Sequence, residues 1–109
     1  MQNVYDIAHD LARSLKETDQ FKDYARLKKQ VDSNEQLKKM IDDFQTKSME
    51  MQAKMMSGEE QDKDLAAQLQ SLYGIVMSDP SAAAYMQSQM ALSQIISDIY
   101  QIIGEAVNV

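Results

Sequence analysis

The only histidine of the chain, His9, lies between two acidic residues, Asp6 and Asp10, in a stretch with helical spacing. Imidazole and carboxylate groups are metal ligands, so a divalent ion could bind here if another helix supplied further ligands. His9 could also accept a phosphoryl group, because histidine is a relay nucleophile. Asp10, however, places negative charge where incoming phosphate needs positive charge. The polar flank of an amphipathic helix has the same composition, and we predict that role for these residues.

Other residue types that support catalysis are either missing or surrounded by charge. The chain contains no cysteine, which excludes a thiol nucleophile, a disulfide and iron–sulfur ligation by this chain alone. The pairs Asp42-Asp43 and Glu59-Glu60 lie in charged contexts, whereas acid–base catalysis requires a desolvated carboxyl group. No glycine-rich loop is present to bind phosphate. We therefore predict a protein that is not an enzyme, with no catalytic, metal or cofactor site; phosphotransfer or another enzymatic activity through His9 is the alternative.

A second alternative, an RNA-binding module, comes from basic residues in the second predicted helix. Lys22, Arg26 and Lys29 lie on one side of that helix, but acidic residues are interleaved with them and the net charge is −6. No Lys or Arg occurs from Leu65 to Val109. Because binding to nucleic acid depends on concentrated positive charge, we do not expect nucleic acid as a partner.

Cap signals divide the chain into five helical segments, and only three glycines and one proline interrupt it. Gln36 and Glu60 each follow a serine by three residues, which is the capping-box spacing. Gly58 is expected to close the third helix, and Pro80 suits the first position of the last one. Short connections favour antiparallel neighbours, so we predict an all-α antiparallel bundle of four to five helices in a single domain, residues 1–109. The predicted N-caps are Asn3, Thr18 or Asp19, Ser33, Ser57 and Asp79.

Apolar residues recur at intervals of three and four in the first and third segments, which predicts that one face of each helix is buried. In the first helix the apolar face comprises Val4, Ile7, Ala8, Leu11, Ala12 and Leu15; in the third it comprises Leu37, Met40, Ile41, Phe44, Ser48, Met51 and Met55. Methionines are concentrated at the end of the third helix. Met51 and Met55 follow its apolar seam whereas Met49 and Met56 do not, so we expect part of this group to be exposed.

The last segment, Pro80 to Val107, has more apolar surface than one neighbouring helix can cover. Uninterrupted, it would span about 40 Å, which exceeds what a compact monomer of this size needs. We therefore predict that the protein forms a dimer or higher oligomer through this long C-terminal helix and the third helix. The predicted interaction residues are Tyr85, Leu92, Ile95, Ile96, Ile99, Ile102 and Ile103, together with Phe44, Met51 and Met55.

Neither a signal peptide nor a membrane-spanning segment is expected from the sequence. The first residues lack a basic region followed by an apolar stretch, and nowhere do about 18 uncharged apolar residues run together. We therefore expect a cytoplasmic protein without membrane insertion.

Five stretches of the sequence carry a family resemblance: Tyr5 to Leu15, Phe21-x-x-Tyr24, Val31-Asp32-Ser33-Asn34-Glu35, Ile41 to Phe44, and the Ser78-Asp79-Pro80 helix with Tyr85 and its isoleucine-rich end. Together they resemble the YlbF/YmcA family of small helical bacterial proteins, and most of all its YheA-like branch. The resemblance covers nearly the whole chain and rests on helix pattern and spacing rather than on a catalytic signature.

This resemblance implies an all-helical, self-associating protein of Gram-positive bacteria. Better-studied relatives act in a non-enzymatic complex that affects competence, sporulation, biofilm formation and maturation of messenger RNA. Relatives in that complex contribute cysteines to iron–sulfur clusters, and because this chain has none, the cluster role does not transfer to it. The sequence thus predicts a non-catalytic adaptor or regulatory protein that self-associates and docks a protein of the RNA-processing or developmental machinery.

Overall fold

Helices make up nearly all of the chain in the computed structural model, which describes residues 3–108. Five helices and no strand occur within those residues, so the predicted all-α fold is confirmed. The 28-residue α5 is the longest helix and extends about 42 Å. None of the helices in this range is long and apolar enough to span a membrane. The helices are α1 (Val4–Glu17), α2 (Asp19–Asp32), α3 (Glu35–Met56), α4 (Lys63–Ser78) and α5 (Pro80–Val107).

Side-chain oxygens at the N-termini of the helices accept hydrogen bonds from otherwise unpaired backbone N–H groups. Oδ1 of Asn3 accepts from the backbone N–H of Asp6 at 2.9 Å. Oγ1 of Thr18 accepts from the N–H of Phe21 at 3.1 Å, so Thr18 rather than Asp19 caps α2. Oδ1 of Asp79 accepts two backbone hydrogen bonds in the first turn of α5, at 2.9 and 3.1 Å. These three predicted caps are confirmed.

Two predicted N-caps are wrong. Asn34, not Ser33, caps α3, and Asp62, not Ser57, caps α4. In both places the serine hydroxyl donates to the carbonyl oxygen three residues earlier, which fixes it to the end of the preceding helix. The amide or carboxylate oxygen further along the chain is therefore the acceptor for the first turn of the next helix.

Gly58 closes α3, as its position in the sequence predicts. Its φ of +77° lies in the left-handed region that glycine adopts without steric cost. The N–H of Gly58 donates to the carbonyl of Met55 at 3.3 Å, and the N–H of Glu59 donates to that of Lys54 at 3.2 Å. This pair of bonds is the Schellman motif, which satisfies carbonyls at the end of a helix.

Contacts divide the chain into two compact units, and the predicted single domain over residues 1–109 stays a prediction. The hairpin unit, residues 29–84, contains α3 and α4. The rings of Phe44 and Tyr73 lie 6.0 Å apart, and Nζ of Lys54 lies 2.8 Å from a carboxylate oxygen of Asp62. Since later residues of α3 meet earlier residues of α4, the two helices are antiparallel. The buried side chains of this unit are Val31, Leu37, Ile41, Leu65, Val76 and Ala82.

Within the described residues, the terminal unit comprises 3–28 and 85–108, and thus α1, most of α2 and α5 beyond Ala84. Its packing centres on aromatic rings: Tyr24 stacks on Tyr85 with 5.7 Å between ring centroids, and Phe21 lies 6.5 Å from Tyr24. Among the residues described in this unit, only Leu27 and Tyr85 are buried. The terminal unit therefore shelters much less apolar surface than the hairpin unit.

Candidate interaction surface

The first helix carries an apolar stripe that the chain does not bury. No residue of α1 is buried. Val4 is 71% exposed and Ile7 is 53% exposed, whereas Leu15 is half-buried. The prediction that α1 buries this face is therefore wrong. Periodicity identifies which face of a helix is apolar, but it does not say whether the same chain supplies an element to cover that face.

The second helix with exposed apolar residues is α5. Its apolar side chains are buried near its N-terminus and exposed toward its C-terminus. Tyr85 is buried by its stacking on Tyr24 within the terminal unit. Farther along, Ile102 is 65% exposed and Ile103 is 51% exposed. The interaction role predicted for the α5 residues stays a prediction, and their burial differs along the helix. Tyr85 is buried, Leu92, Ile95 and Ile99 are half-buried, and Ile96, Ile102 and Ile103 are exposed.

An apolar groove of about 250 Å³ lies between α1 and α5. Since Tyr24 meets Tyr85 while Leu11 and Tyr100 share this groove, α1 and α2 run antiparallel to α5. The residues that line the groove are Ala8, Leu11, Ala12, Leu15, Ile96, Ile99 and Tyr100. We use the term α1/α5 face for the exposed apolar residues of the two helices that are open around it. They are Val4, Ile7, Leu11, Ile96, Tyr100, Ile103 and Val107; Ile102 lies about 120° from Ile96 around α5 and is not part of this face.

The interaction residues predicted on α3 lie in the other unit. Phe44 is half-buried against Tyr73, Met51 is half-buried, and Met55 is exposed. Met49 and Met56 are also exposed, as their positions away from the seam of α3 predict. The predicted interaction residues thus fall into two groups, one in each unit.

Met51 and Met55 form part of a second concave surface, at the tip where α3 turns toward α4. We call this surface the methionine groove. It encloses about 470 Å³. Met51 and Met55 were predicted as interaction residues, but the groove itself was not predicted, because four of its lining residues belong to the α3–α4 connection rather than to a helix. Its lining residues are Met51, Lys54, Met55, Glu59, Glu60, Gln61 and Asp62.

One ion pair joins the two sides of the methionine groove. Nζ of Lys54 donates to Oδ2 of Asp62 at 2.8 Å, and Oδ1 of Asp62 accepts from the N–H of Leu65 at 3.0 Å. The hydrogen bond from Lys54 lowers the pKa of the Asp62 carboxyl, and the N–H of Leu65 lowers it further. The same hydrogen bond to Asp62 raises the pKa of Lys54. Asp62 therefore has two roles: it caps α4, and it links α4 to the last turn of α3 through the ion pair with Lys54.

This ion pair predicts a dependence of stability on pH. The folded-state pKa of Asp62 lies below its unfolded value, so its stabilisation is present above about pH 4 and is lost as the pH falls through the folded pKa. The pKa of Lys54 is raised, so its contribution persists below about pH 10 and disappears above that. We expect Asp62→Asn to lower the unfolding temperature at neutral pH, and the difference from wild type to shrink toward pH 2.

Thermal unfolding followed by circular dichroism between pH 2 and pH 7 measures this difference. Asparagine is as good an N-cap as aspartate, so the substitution removes the charge and keeps the cap. Asp42→Asn, on an exposed residue of α3, is the matched control and should change the unfolding temperature little at any pH. A difference between Asp62→Asn and wild type that stays constant over the whole range contradicts the assignment.

The residues that could perform chemistry do not come together as a site. His9 is exposed, and Asp10 next to it forms an ion pair with Arg13. Within residues 3–108, no group of three or more His, Cys, Asp or Glu side chains is placed to hold a metal ion. Of the basic residues of α2, Arg26 lies 3.8 Å from Asp23, which offsets its charge locally.

Comparison with known proteins identifies the family of this chain. Residues 4–108 match the family described as "Control of competence regulator ComK, YlbF/YmcA". The chain belongs to the YlbF/YmcA family. The resemblance that the helix pattern indicates is thereby confirmed, and it extends over nearly every residue.

Relatives of this YlbF/YmcA-family chain occur in several bacteria. A UPF0342 protein of Caldicellulosiruptor saccharolyticus is 41% identical over 108 residues, which are 99% of this chain and 90% of the relative. A UPF0342 protein of Symbiobacterium thermophilum is 35% identical over 106 residues, which are 97% of this chain and 95% of that protein.

A solved structure shares the fold of this YlbF/YmcA-family chain. It is a protein of unknown function (DUF964) from Bacillus stearothermophilus, with a TM-score of 0.80 and 18% sequence identity. The match covers 97% of this chain and 93% of the other. At that identity the likeness concerns the fold alone, and it agrees with the five-helix architecture.

Proposed function

We propose that this protein is a non-catalytic helical adaptor of a bacterial regulatory system, which acts in the cytoplasm and self-associates through the α1/α5 face. In this proposal the assembled protein docks a further protein of the RNA-processing or developmental-regulation machinery. The family is described as controlling the competence regulator ComK, and a regulatory task of this kind is consistent with contacts between proteins.

The observation that carries self-association is the exposure of α1. Its apolar residues recur at helical spacing, yet none is buried. Fully burying one Val, Leu or Ile side chain stabilises a protein by about 1.5–3 kcal/mol, so leaving several of them in water forgoes a large gain. Clustered exposed apolar residues of this kind mark protein interaction sites.

A second copy of the chain is the occupant that suits the α1/α5 face best. Two helices side by side form only one layer, and a stable α-helical core requires a second layer packed on the first. A twofold-related copy supplies an identical apolar layer and completes a four-helix arrangement. Asp98 and Glu105 are the only charged residues of α5, so this helix adds little like-charge repulsion between copies.

Light scattering of the wild-type protein at micromolar concentration tests self-association. The monomer has a mass of 12.4 kDa, so we expect at least twice that mass. A protein that remains monomeric at several hundred micromolar overturns this part of the proposal, because the α1/α5 face would then stay in contact with water even at that concentration.

A further inference from the structure

The methionine groove is open because α4 begins too late to cover it. Met55 follows Met51 by four residues and Phe44 by eleven, so it lies on the same face of α3. Phe44 finds Tyr73 opposite it. The residues opposite Met55, however, belong to the connection before Lys63, where α4 starts. Met55 therefore projects beyond the end of the hairpin core and has no helix to pack against.

The charges around the methionine groove are predominantly negative. From Glu50 to Asp64 the sequence contains five acidic residues and two lysines. Lys54, the only basic residue that lines the groove, is paired with Asp62 at 2.8 Å and lies 4.0 Å from Glu50. Its charge is thus offset by its neighbours. The exposed side chains of Glu59 and Glu60 leave the edge of the groove acidic.

We propose that the methionine groove docks an amphipathic segment of another protein, with apolar side chains on Met51 and Met55 and with Lys or Arg residues near Glu59 and Glu60. Flexible thioether side chains adapt to differently shaped apolar groups, and an amphipathic helix in an apolar groove is a recurring mode of recognition. This inference rests on the adaptor function proposed above and gives the chemistry of the docked partner. It does not depend on self-association, because the groove lies in the hairpin unit.

A second copy of this chain is a poorer occupant of the methionine groove. Its most basic helix is α2, which carries Lys22, Arg26 and Lys29. The apolar residues of α2 already pack within their own chain, because Tyr24 stacks on Tyr85 and Leu27 is buried. A basic segment with a free apolar face must therefore come from a different protein.

A labelled synthetic peptide provides a direct probe. We expect a helical peptide of leucines at intervals of three and four, with lysines at the other positions, to bind the full chain saturably in fluorescence anisotropy. A peptide of the same pattern with glutamates in place of the lysines is expected not to bind. Equal binding of both peptides, or binding of neither, overturns the proposal.

Charge-reversal variants of the protein identify where the peptide binds. Glu59→Lys combined with Glu60→Lys should weaken binding of the lysine peptide at least tenfold. The control, Glu17→Lys combined with Asp42→Lys, changes the net charge equally at exposed positions outside the groove and should weaken it less than threefold. Equal losses in the two variants show general charge attraction and contradict the groove as the site.

A substitution at Met55, one of the two methionines that line the groove, tests the apolar contact separately. Met55 is exposed, so Met55→Asp should leave the fold intact and weaken peptide binding at least tenfold, whereas Met55→Leu should keep it within threefold. Unchanged binding by Met55→Asp overturns the proposal. A monomeric wild-type protein that binds the lysine peptide supports this inference while contradicting self-association. If the peptide binds the monomeric protein but not the assembled protein, a second copy of the chain fills the groove. That result overturns the inference.

Discussion

Replacing Ile103 by Asp is expected to convert the proposed assembly into folded monomers. Ile103 is 51% exposed within one chain, so an aspartate there costs the isolated subunit little. In an assembly through the α1/α5 face the same carboxylate becomes buried without a partner, which costs at least about 2 kcal/mol in each copy. With two copies affected, dissociation becomes about a thousandfold easier. Light scattering detects the fall in mass, and circular dichroism shows that the helices persist.

A second substitution on the same helix provides the control. Met90 is 72% exposed and lies by a polar depression formed with Gln89, Ser93, Gln94 and Ser97, outside the α1/α5 face. Met90→Asp should therefore leave the mass of the assembly unchanged. Ile7→Asp, on α1, should act like Ile103→Asp. If both isoleucine variants remain assembled, the α1/α5 face is not the interface.

The largest effect on stability is expected from Ile41→Ala. Ile41, on α3, is only 2% exposed, and removing a buried isoleucine side chain costs about 2–5 kcal/mol because it leaves a cavity. Whole proteins are stable by only about 5–15 kcal/mol, so this substitution removes a large share of the total. Urea unfolding at one fixed protein concentration gives the change in midpoint, and the concentration is kept fixed because the proposed self-association would also contribute to apparent stability.

Met49→Ala is the matched control for this experiment. It shortens a side chain of similar size on the same helix, but Met49 is exposed. A surface substitution of this kind changes stability by no more than about 0.5 kcal/mol. If Ile41→Ala lowers the free energy of unfolding by no more than Met49→Ala does, the core of the hairpin unit lies elsewhere.

The helices and most of their boundaries could be predicted because the signals for them are local. Asn3, Thr18 and Asp79 each bond to N–H groups two or three residues ahead. The errors at Ser33 and Ser57 arose where two polar side chains compete within a few residues. A serine hydroxyl that donates backward to a carbonyl cannot be distinguished by spacing alone from one that accepts forward.

The candidate surfaces were predicted less completely because they depend on contacts between distant segments. The isoleucines of α5 were identified from their periodicity, but Val4 and Ile7 were expected inside. The ion pair between Lys54 and Asp62 was missed, although both residues adjoin the closure of α3 at Gly58. A lysine in the last turn of one helix and an acidic N-cap on the next is a signal that could have indicated it.

The single-residue break at Thr18 limits how the length of this chain can vary. Since α1 ends at Glu17 and α2 begins at Asp19, one inserted residue would rotate α1 by about 100° relative to α2 and turn its stripe away from α5. Insertions and deletions that accumulate as such proteins diverge should therefore be rare at Thr18.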